Sequence, residues 1–392
     1  MMIDPPEQPS FTVDGNRLTM LDTGPRRIEA LIALIDGARH TLRVLYYIYV
    51  DDAAGARVRD ALIAAAARGV AVSLIVDGLG SEHAAQRHFF APLDAAGVMV
   101  CRFVPRWGRR YLLRNHQKLA LADAESPRAR VIIGGFNIQD SYFGTPAEQA
   151  WRDLGLLVEG PAATRLAGYF DALSAWAKQP KASMRRLRRM LTVWSEPHGT
   201  ARWLLGGPTR QLSPWARTVR HDMREASRFD LIAGYFAPNP AMLSRLDRIG
   251  KRGQVRIVLP SKNDHGASIW ASRFTYAGLL RKRVRIYEYL TTKLHTKLFV
   301  IDNVTYVGSA NFDIRSMFLN LEIMLRIDDA AFAAHARAYV DGEIAESEAI
   351  TTALYKARTS PWMRVKQAAA YFVMAVLDYN VTRRLNFGPD GR

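Results

Sequence analysis

The stretch Asn115-His116-Gln117-Lys118-Leu119-Ala120-Leu121-Ala122-Asp123 returns later in the chain as Leu294-His295-Thr296-Lys297-Leu298-Phe299-Val300-Ile301-Asp302. Both fit His-x-Lys, four apolar residues, then Asp. Each copy reads as a strand, along which alternate side chains share a face, so its His and Lys project towards one point. A glycine turn follows each copy: Gly134-Gly135-Phe136-Asn137 in the first half, Gly308-Ser309-Ala310-Asn311 in the second. Beyond each turn lies an acid, Asp153 within Trp151-Arg152-Asp153 and Glu322 within Asn320-Leu321-Glu322.

The repeat extends outward from these motifs. Gly24-Pro25-Arg26-Arg27 corresponds to Gly207-Pro208-Thr209-Arg210, 183 residues later. Apolar strands are expected at 42–50 and 229–236, each followed by a helix, at 55–67 and 241–251. Both helices end at Arg-Gly (Arg68-Gly69 and Arg252-Gly253), glycine being the usual residue just past a helix end. Further strands are expected at 70–76 and 254–259, then at 98–104 and 284–289. Near-continuous apolar strands alternating with helices mark sheets covered on both faces. The expected fold is therefore α/β: two similar α/β domains from an internal duplication, mixed sheets flanked by helices, with one active site at the domain junction. The expected domains are residues 1–180 and 204–345, joined by a basic linker at 181–203 and followed by a tail at 346–392.

The repeated residues suit phosphoryl chemistry. Imidazole is a good nucleophile towards phosphorus and titrates near neutral pH. Two histidines allow one to attack while the other protonates the leaving oxygen. Two lysines and two asparagines supply cations and donors for the charge of a five-coordinate phosphorane. An acid bonded to each imidazole fixes its tautomer. The candidate catalytic residues are His116, Lys118, Asp123, His295, Lys297 and Asp302. Asn137, Asp153, Ser309, Asn311 and Glu322 are expected to bind phosphate or orient the histidines. No metal is expected, since the lysines bring the charge a cation would supply. Zinc is disfavoured further because no helix carries two histidines at i and i+4, and each His has a lysine beside it. A lone His-x-Lys is ordinarily a surface pair; two copies with the same sequel reverse that preference.

Composition narrows the partner. The 392 residues are 49% hydrophobic, enough to bury a full core. Lys and Arg number 54 against 37 Asp and Glu, giving +17, which points to a polyanionic partner, nucleic acid or anionic membrane. The single cysteine, Cys101, fits a reducing compartment. Asp4, Pro5, Pro6 and Glu7 stand where a signal peptide would carry basic and apolar residues, and the longest apolar run, 368–377, falls short of the roughly 20 residues a spanning helix needs. That run lies between Arg364, Lys366 and Arg383, Arg384, a pattern expected of a helix lying in the membrane interface, the rival being a core helix packed on the second domain. Arg185, Arg186, Arg188 and Arg189 in the linker read equally as a solvated face or a contact for phosphates.

At its two motifs the chain resembles the phospholipase D superfamily, over roughly residues 21–328. Within that span Arg114-Asn115-His116-Gln117-Lys118, Gly134-Gly135-Phe136-Asn137, Trp151-Arg152-Asp153 through Glu159-Gly160-Pro161, and Val307-Gly308-Ser309-Ala310-Asn311-Phe312-Asp313 with Arg315-Ser316 look like bacterial cardiolipin synthases. The resemblance implies a phosphohistidine-type intermediate, with a phosphatidyl group carried on one His and passed to an alcohol or water, and neither metal nor nucleotide cofactor. It also implies His116 as nucleophile and His295 as general acid. The reading that follows is a phosphatidyltransferase joining two phosphatidylglycerol molecules, cytoplasmic and peripheral on the inner face of the cell membrane. Hydrolysis by water at the same site is the alternative; a nuclease ranks lower, because no aromatic-rich nucleic-acid module is evident. Two features depart from the family. Gly135 stands where many members have the serine kept here as Ser309, and the membrane helices common at the start of cardiolipin synthases have no counterpart before the first repeat.

Overall fold

The computed structural model describes residues 8–86, 88–104, 113–179, 182–263 and 266–377. The first half builds a sheet from β1 (Ser10–Val13), β2 (Asn16–Leu21), β3 (Thr41–Tyr46), β4 (Ala71–Asp77), β5 (Met99–Phe103), β6 (Leu119–Ala122), β7 (Arg130–Gly134) and β8 (Gly155–Glu159). Their order is β1-β2-β8-β7-β6-β3-β4-β5. The second half contributes β9 (Ala201–Gly206), β10 (Arg228–Ala233), β11 (Phe236–Ala237), β12 (Gln254–Pro260), β13 (Arg285–Tyr289), β14 (Lys297–Ile301), β15 (Val304–Gly308), β16 (Phe312–Asp313), β17 (Glu322–Asp328) and β18 (Ser347–Ile350). Here the order is β18-β13-β12-β10-β14-β15-β17-β9, with β11 and β16 forming a separate short pair.

Removing β1 from one sheet and β18 from the other leaves the same seven-strand order in both. Strands β3, β4 and β5 run parallel, as do β10, β12 and β13, and every other neighbouring pair within the two large sheets is antiparallel. The duplication expected from the motifs is thus one of topology. Its parallel part is joined by crossover helices, which start where a side chain accepts an otherwise unpaired amide: Asp52 from Gly55 at 53–67, and Asn239 from Met242 at 240–252. The motif strands β6 and β14 lie in mid-sheet and are buried along their whole length, which explains their unbroken apolar runs.

The outer face of each sheet packs under its own helices, with Val44, Leu74 and Ile132 in one half and Leu231, Ile257 and Phe299 in the other. The inner faces fuse. Leu119, Ile133 and Leu156 belong to the same buried cluster as Leu298, Val307 and Ile323, so the halves share one core.

The expected linker and tail are more integrated than their composition suggests. The 184–193 helix buries Leu187, Met190 and Leu191 beneath its arginines, and β9 begins at Ala201, inside the predicted linker. In the tail, β18 extends the second sheet past residue 345 by pairing with β13. The 361–372 helix then packs on the 266–280 helix and continues as a wider turn over 373–377. Arg383 and Arg384 lie outside the described residues. Among the described residues no helix is long and apolar enough to cross a membrane.

Candidate active site

Two short backbone bridges between the halves position the site. His116 donates its amide to the Leu321 carbonyl (2.9 Å), and Leu321 donates to Arg114 (2.9 Å). Likewise His295 donates to the Arg152 carbonyl (2.7 Å), and Arg152 to Lys293 (2.8 Å). In both bridges the next residue is the acid: Glu322 follows Leu321, and Asp153 follows Arg152. The acids therefore cross over. His116 Nδ1 lies 3.0 and 3.1 Å from the two Glu322 oxygens, and His295 Nδ1 lies 2.7 Å from Asp153 Oδ2. A neutral imidazole held this way donates its Nδ1 proton to the carboxylate and presents the Nε2 lone pair.

Each lysine sits beside its histidine. Lys118 Nζ donates to the His116 carbonyl (2.7 Å); Lys297 Nζ donates to the His295 carbonyl and lies 2.8 Å from His295 Nδ1. Both lysines, both histidines and both acids are buried. Tyr47 and Tyr235, just past the ends of β3 and β10, set their rings 5.0 Å from the His116 ring and 6.2 Å from the His295 ring. Asn137 Oδ1 accepts the Ile48 amide and Asn311 Oδ1 the Tyr235 amide, both at 3.2 Å, so the two asparagines pin the loops that carry these tyrosines.

This paired geometry coincides with the reach of a family model. The one described as "Cardiolipin synthase, PLD-like domain" matches residues 31–174 and 219–343, one segment in each half. The chain belongs to this family. It is 32% identical over 327 residues to cardiolipin synthase 1 of Bacillus anthracis, a match covering 79% of this chain and 63% of that protein. It is 30% identical over 383 residues to cardiolipin synthase A of Yersinia pseudotuberculosis, covering 93% of this chain and 76% of that one. The chain thus spans about 63% of the length of the Bacillus relative. Among solved structures, phosphatidylserine synthase of Haemophilus influenzae superposes with a TM-score of 0.69 at 14% identity, covering 93% of this chain and 94% of that chain. Polyphosphate kinase of Porphyromonas gingivalis superposes at 0.59 and 15% identity, covering 97% and 56%; both likenesses are of fold.

The phospholipase D-like site is not evenly built. Glu322 is gripped by two hydroxyls, Ser309 Oγ at 2.5 Å and Ser316 Oγ at 2.9 Å. Among the described residues no hydroxyl bonds Asp153 in this way; its Oδ1 accepts the Leu154 amide (2.7 Å). The first-half glycine has a physical reason, since a Cβ on Gly135 would stand 2.4 Å from Asp153 Oδ1 and 2.9 Å from the Lys297 side chain. Asp153 is steadied through its backbone instead. The buried Arg27 guanidinium donates to the carbonyls of Asp153, Tyr142 (2.7 Å) and Trp151 (3.4 Å).

Burial dominates the electrostatics. It pushes His295 down to about 3, with Lys297 adding to the effect against Asp153, and it lowers His116 against the opposing pull of Glu322. It also brings Lys118 down to about 7 and Lys297 to about 8. Burial would raise both acids, but Lys297 and His295 at Asp153, and His116 with Lys118 at Glu322, outweigh it and hold both below the usual carboxylate range. The halves are electrically one site: Lys297 acts on His116, and Lys118 acts on His295. Neutral imidazoles beside ionised acids and lysine ammonium groups set nitrogen lone pairs next to cations able to hold a phosphoryl anion. Among the described residues no group of three or more His, Cys, Asp and Glu is arranged to hold a metal ion.

Two of the candidate residues lie elsewhere. Asp123 and Asp302 stand at the far ends of β6 and β14, where Asp123 accepts the amides of Arg39, His40 and Thr41 and Asp302 those of Ser227 and Arg228. Both adopt positive φ, 50° and 46°, in the turns that leave the motif strands. The structure makes them turn residues that tie those turns to the starts of β3 and β10, well away from the imidazoles. Sequence reasoning quoted Ser316 and Arg27 without giving either a role, and did not single out Tyr47 or Tyr235. The usable signals were Arg27 in the repeated Gly-Pro element and the tyrosines at matching strand ends, where open α/β sheets place their sites.

Proposed function

We propose that the protein is a phosphatidyltransferase of cardiolipin-synthase type, using phosphatidylglycerol as both donor and acceptor. The observation that carries this reading is the crossed pairing of two histidines with two acids around two buried lysines. His116 Nε2 attacks phosphorus while the bond to the headgroup glycerol oxygen breaks. His295, protonated once the phosphate anion is bound, passes its proton to that oxygen, and glycerol leaves. A hydroxyl of the second phosphatidylglycerol then gives its proton to His295 and attacks phosphorus. The phosphorus–nitrogen bond breaks, His116 is restored and cardiolipin departs. Lys118 and Lys297 balance the charge that builds on the phosphoryl oxygens. The choice of His116 as nucleophile and His295 as acid follows the resemblance to the superfamily, in which the histidine of the first half tends to attack phosphorus. Family membership and the cardiolipin synthases it resembles support the lipid substrate. The +17 balance supports a site of action on the anionic inner face of the cell membrane.

The test is to incubate the full chain with phosphatidylglycerol vesicles and identify products by mass spectrometry. Cardiolipin with equimolar glycerol is expected. Phosphatidic acid as the main product would convert the assignment to a hydrolase, and no lipid turnover would reject both.

A further inference from the structure

The 361–372 helix meets the second half by one side only. Ala370 packs with Ala271 of the 266–280 helix and with Ala237, Gln367 accepts from Tyr355 Oη (3.1 Å), and Tyr371 Oη donates to the Pro238 carbonyl (2.7 Å). The other side faces solvent, where a surface helix is ordinarily polar. Here it is apolar: Trp362 is 66% exposed, Val365 56%, Phe372 49% and Val373 51%. At about 100° per residue these positions fall on one stripe. Trp270 (37%) and Phe274 (42%) on the neighbouring helix belong to the same pair of helices, and together these account for six of the ten exposed large apolar side chains among the described residues. Apolar residues exposed singly are ordinary, whereas a patch of them marks an interaction surface.

The charge around the patch names the partner. No acid occurs between Gly266 and Tyr287, nor between Ala349 and Leu377, whereas Arg281, Lys356 and Arg364 gather beside Phe274. Lys366 holds its ammonium 5.9 Å from the Trp270 ring and 5.7 Å from the Trp362 ring, a cation between two indoles at the water boundary. A second copy of the chain fits poorly, since a two-fold contact would press these cationic rims together. Position adds to the case. Both helices stand on the 234–238 segment, Ser272 Oγ donating to the Phe236 carbonyl (2.9 Å) as Tyr371 does to Pro238, and that segment carries Tyr235 to the His295 ring.

We infer that the paired 266–280 and 361–372 helices form one surface that docks on an anionic phospholipid bilayer, the indoles and Phe372 entering at headgroup depth and the cations meeting lipid phosphates. Two helices from distant parts of the chain make the surface, and the tail supplies only one side of it. The inference rests on the lipid reading of the active site for its choice of bilayer.

The test is the double variant V365E/F372E in the full chain, both positions being exposed, with sedimentation on phosphatidylglycerol vesicles, turnover of a short-chain monomeric phosphatidylglycerol, thermal unfolding and gel filtration. Vesicle binding should fall about tenfold or more, while short-chain turnover stays within about twofold and the melting temperature is unchanged. In a second measurement, bilayers brominated in their acyl chains should quench tryptophan emission of the intact chain, and W270F/W362F should remove most of that quenching. Wild-type binding by V365E/F372E overturns the inference, as does a wild-type dimer that the variant splits, which would make the patch a self-association surface. Binding lost on mutation with no cardiolipin made by either protein would leave the docking surface standing and sink the function. Cardiolipin made equally well by both on vesicles would do the reverse.

Discussion

The two imidazole–acid pairs answer one requirement with different parts. His116 leans on a glutamate whose two oxygens each accept a serine hydroxyl, from Ser309 and Ser316. His295 leans on an aspartate, one carbon shorter, whose neighbour Gly135 leaves no room for a hydroxyl and whose backbone is held from behind by Arg27. The first pair is thus oriented through side chains and the second through main chain. A two-fold topology has been given unequal surroundings, which suits the proposed two-step transfer, in which one histidine bonds phosphorus while the other only moves a proton.

The sharpest way to break this comparison is to find the covalent adduct. His116→Ala and His295→Ala should each lower turnover by about four orders of magnitude, since each removes a reacting group. Rapid quenching and peptide mapping should locate the phosphoryl group on His116; an adduct on His295 would invert the proposed roles.

Next in size is the response to pH. Lys118 and Lys297, brought down to about 7 and about 8, are charged below those values and lose the charge above them. With the transition state relying on that charge, kcat/KM should fall as pH rises through about 7 to 9. A flat profile across that window would mean that bound substrate keeps both lysines protonated.

A smaller effect separates the two acids. Ser309→Ala should cost about tenfold in kcat by loosening Glu322, one hydrogen bond to a charged group being worth about 1.5–3 kcal/mol. Gly135→Ser, which nominally restores symmetry, should also lose activity by displacing Asp153. A gain in that variant would show that the halves are interchangeable after all.

The smallest catalytic effect is expected at the motif aspartates. Asp123→Ala and Asp302→Ala should lower thermal stability by about 1–3 kcal/mol by leaving backbone amides unpaired, with kcat within about twofold of the original. A large fall in kcat at unchanged stability would return them to the active site.

That last correction was available in the sequence as arithmetic. Seven residues of strand at about 3.3 Å each put Asp123 about 23 Å from His116, too far to share a phosphate. The strands themselves were legible because buried mid-sheet strands need unbroken apolar runs, and β6 and β14 have them. Helices 53–67 and 240–252 were legible from periodicity and their closing glycines, to within two residues at either end. Which acid serves which histidine was not. Asp153 and Glu322 each follow a motif in their own half, and only the bridges Arg152 to Leu294 and Asn115 to Leu321 exchange them. Such an exchange is a property of packing between distant segments, and no local pattern records it. The linker arginines do lie on the outer face of their helix, but the Leu187, Met190 and Leu191 stripe beneath them is short and easily hidden by charge.

The crossed acids also bear on how such a site comes to be. With each imidazole completed by the other half, and the inner sheet faces fused into one core, neither half holds a whole catalytic set. Two identical copies meeting as a symmetric dimer could supply the same geometry, but every change in one copy would be repeated in its mate. Joining the copies in one chain removed that constraint. Ser309 could then stand opposite Gly135, and a glutamate opposite an aspartate, so that a division of labour between equivalent residues became heritable.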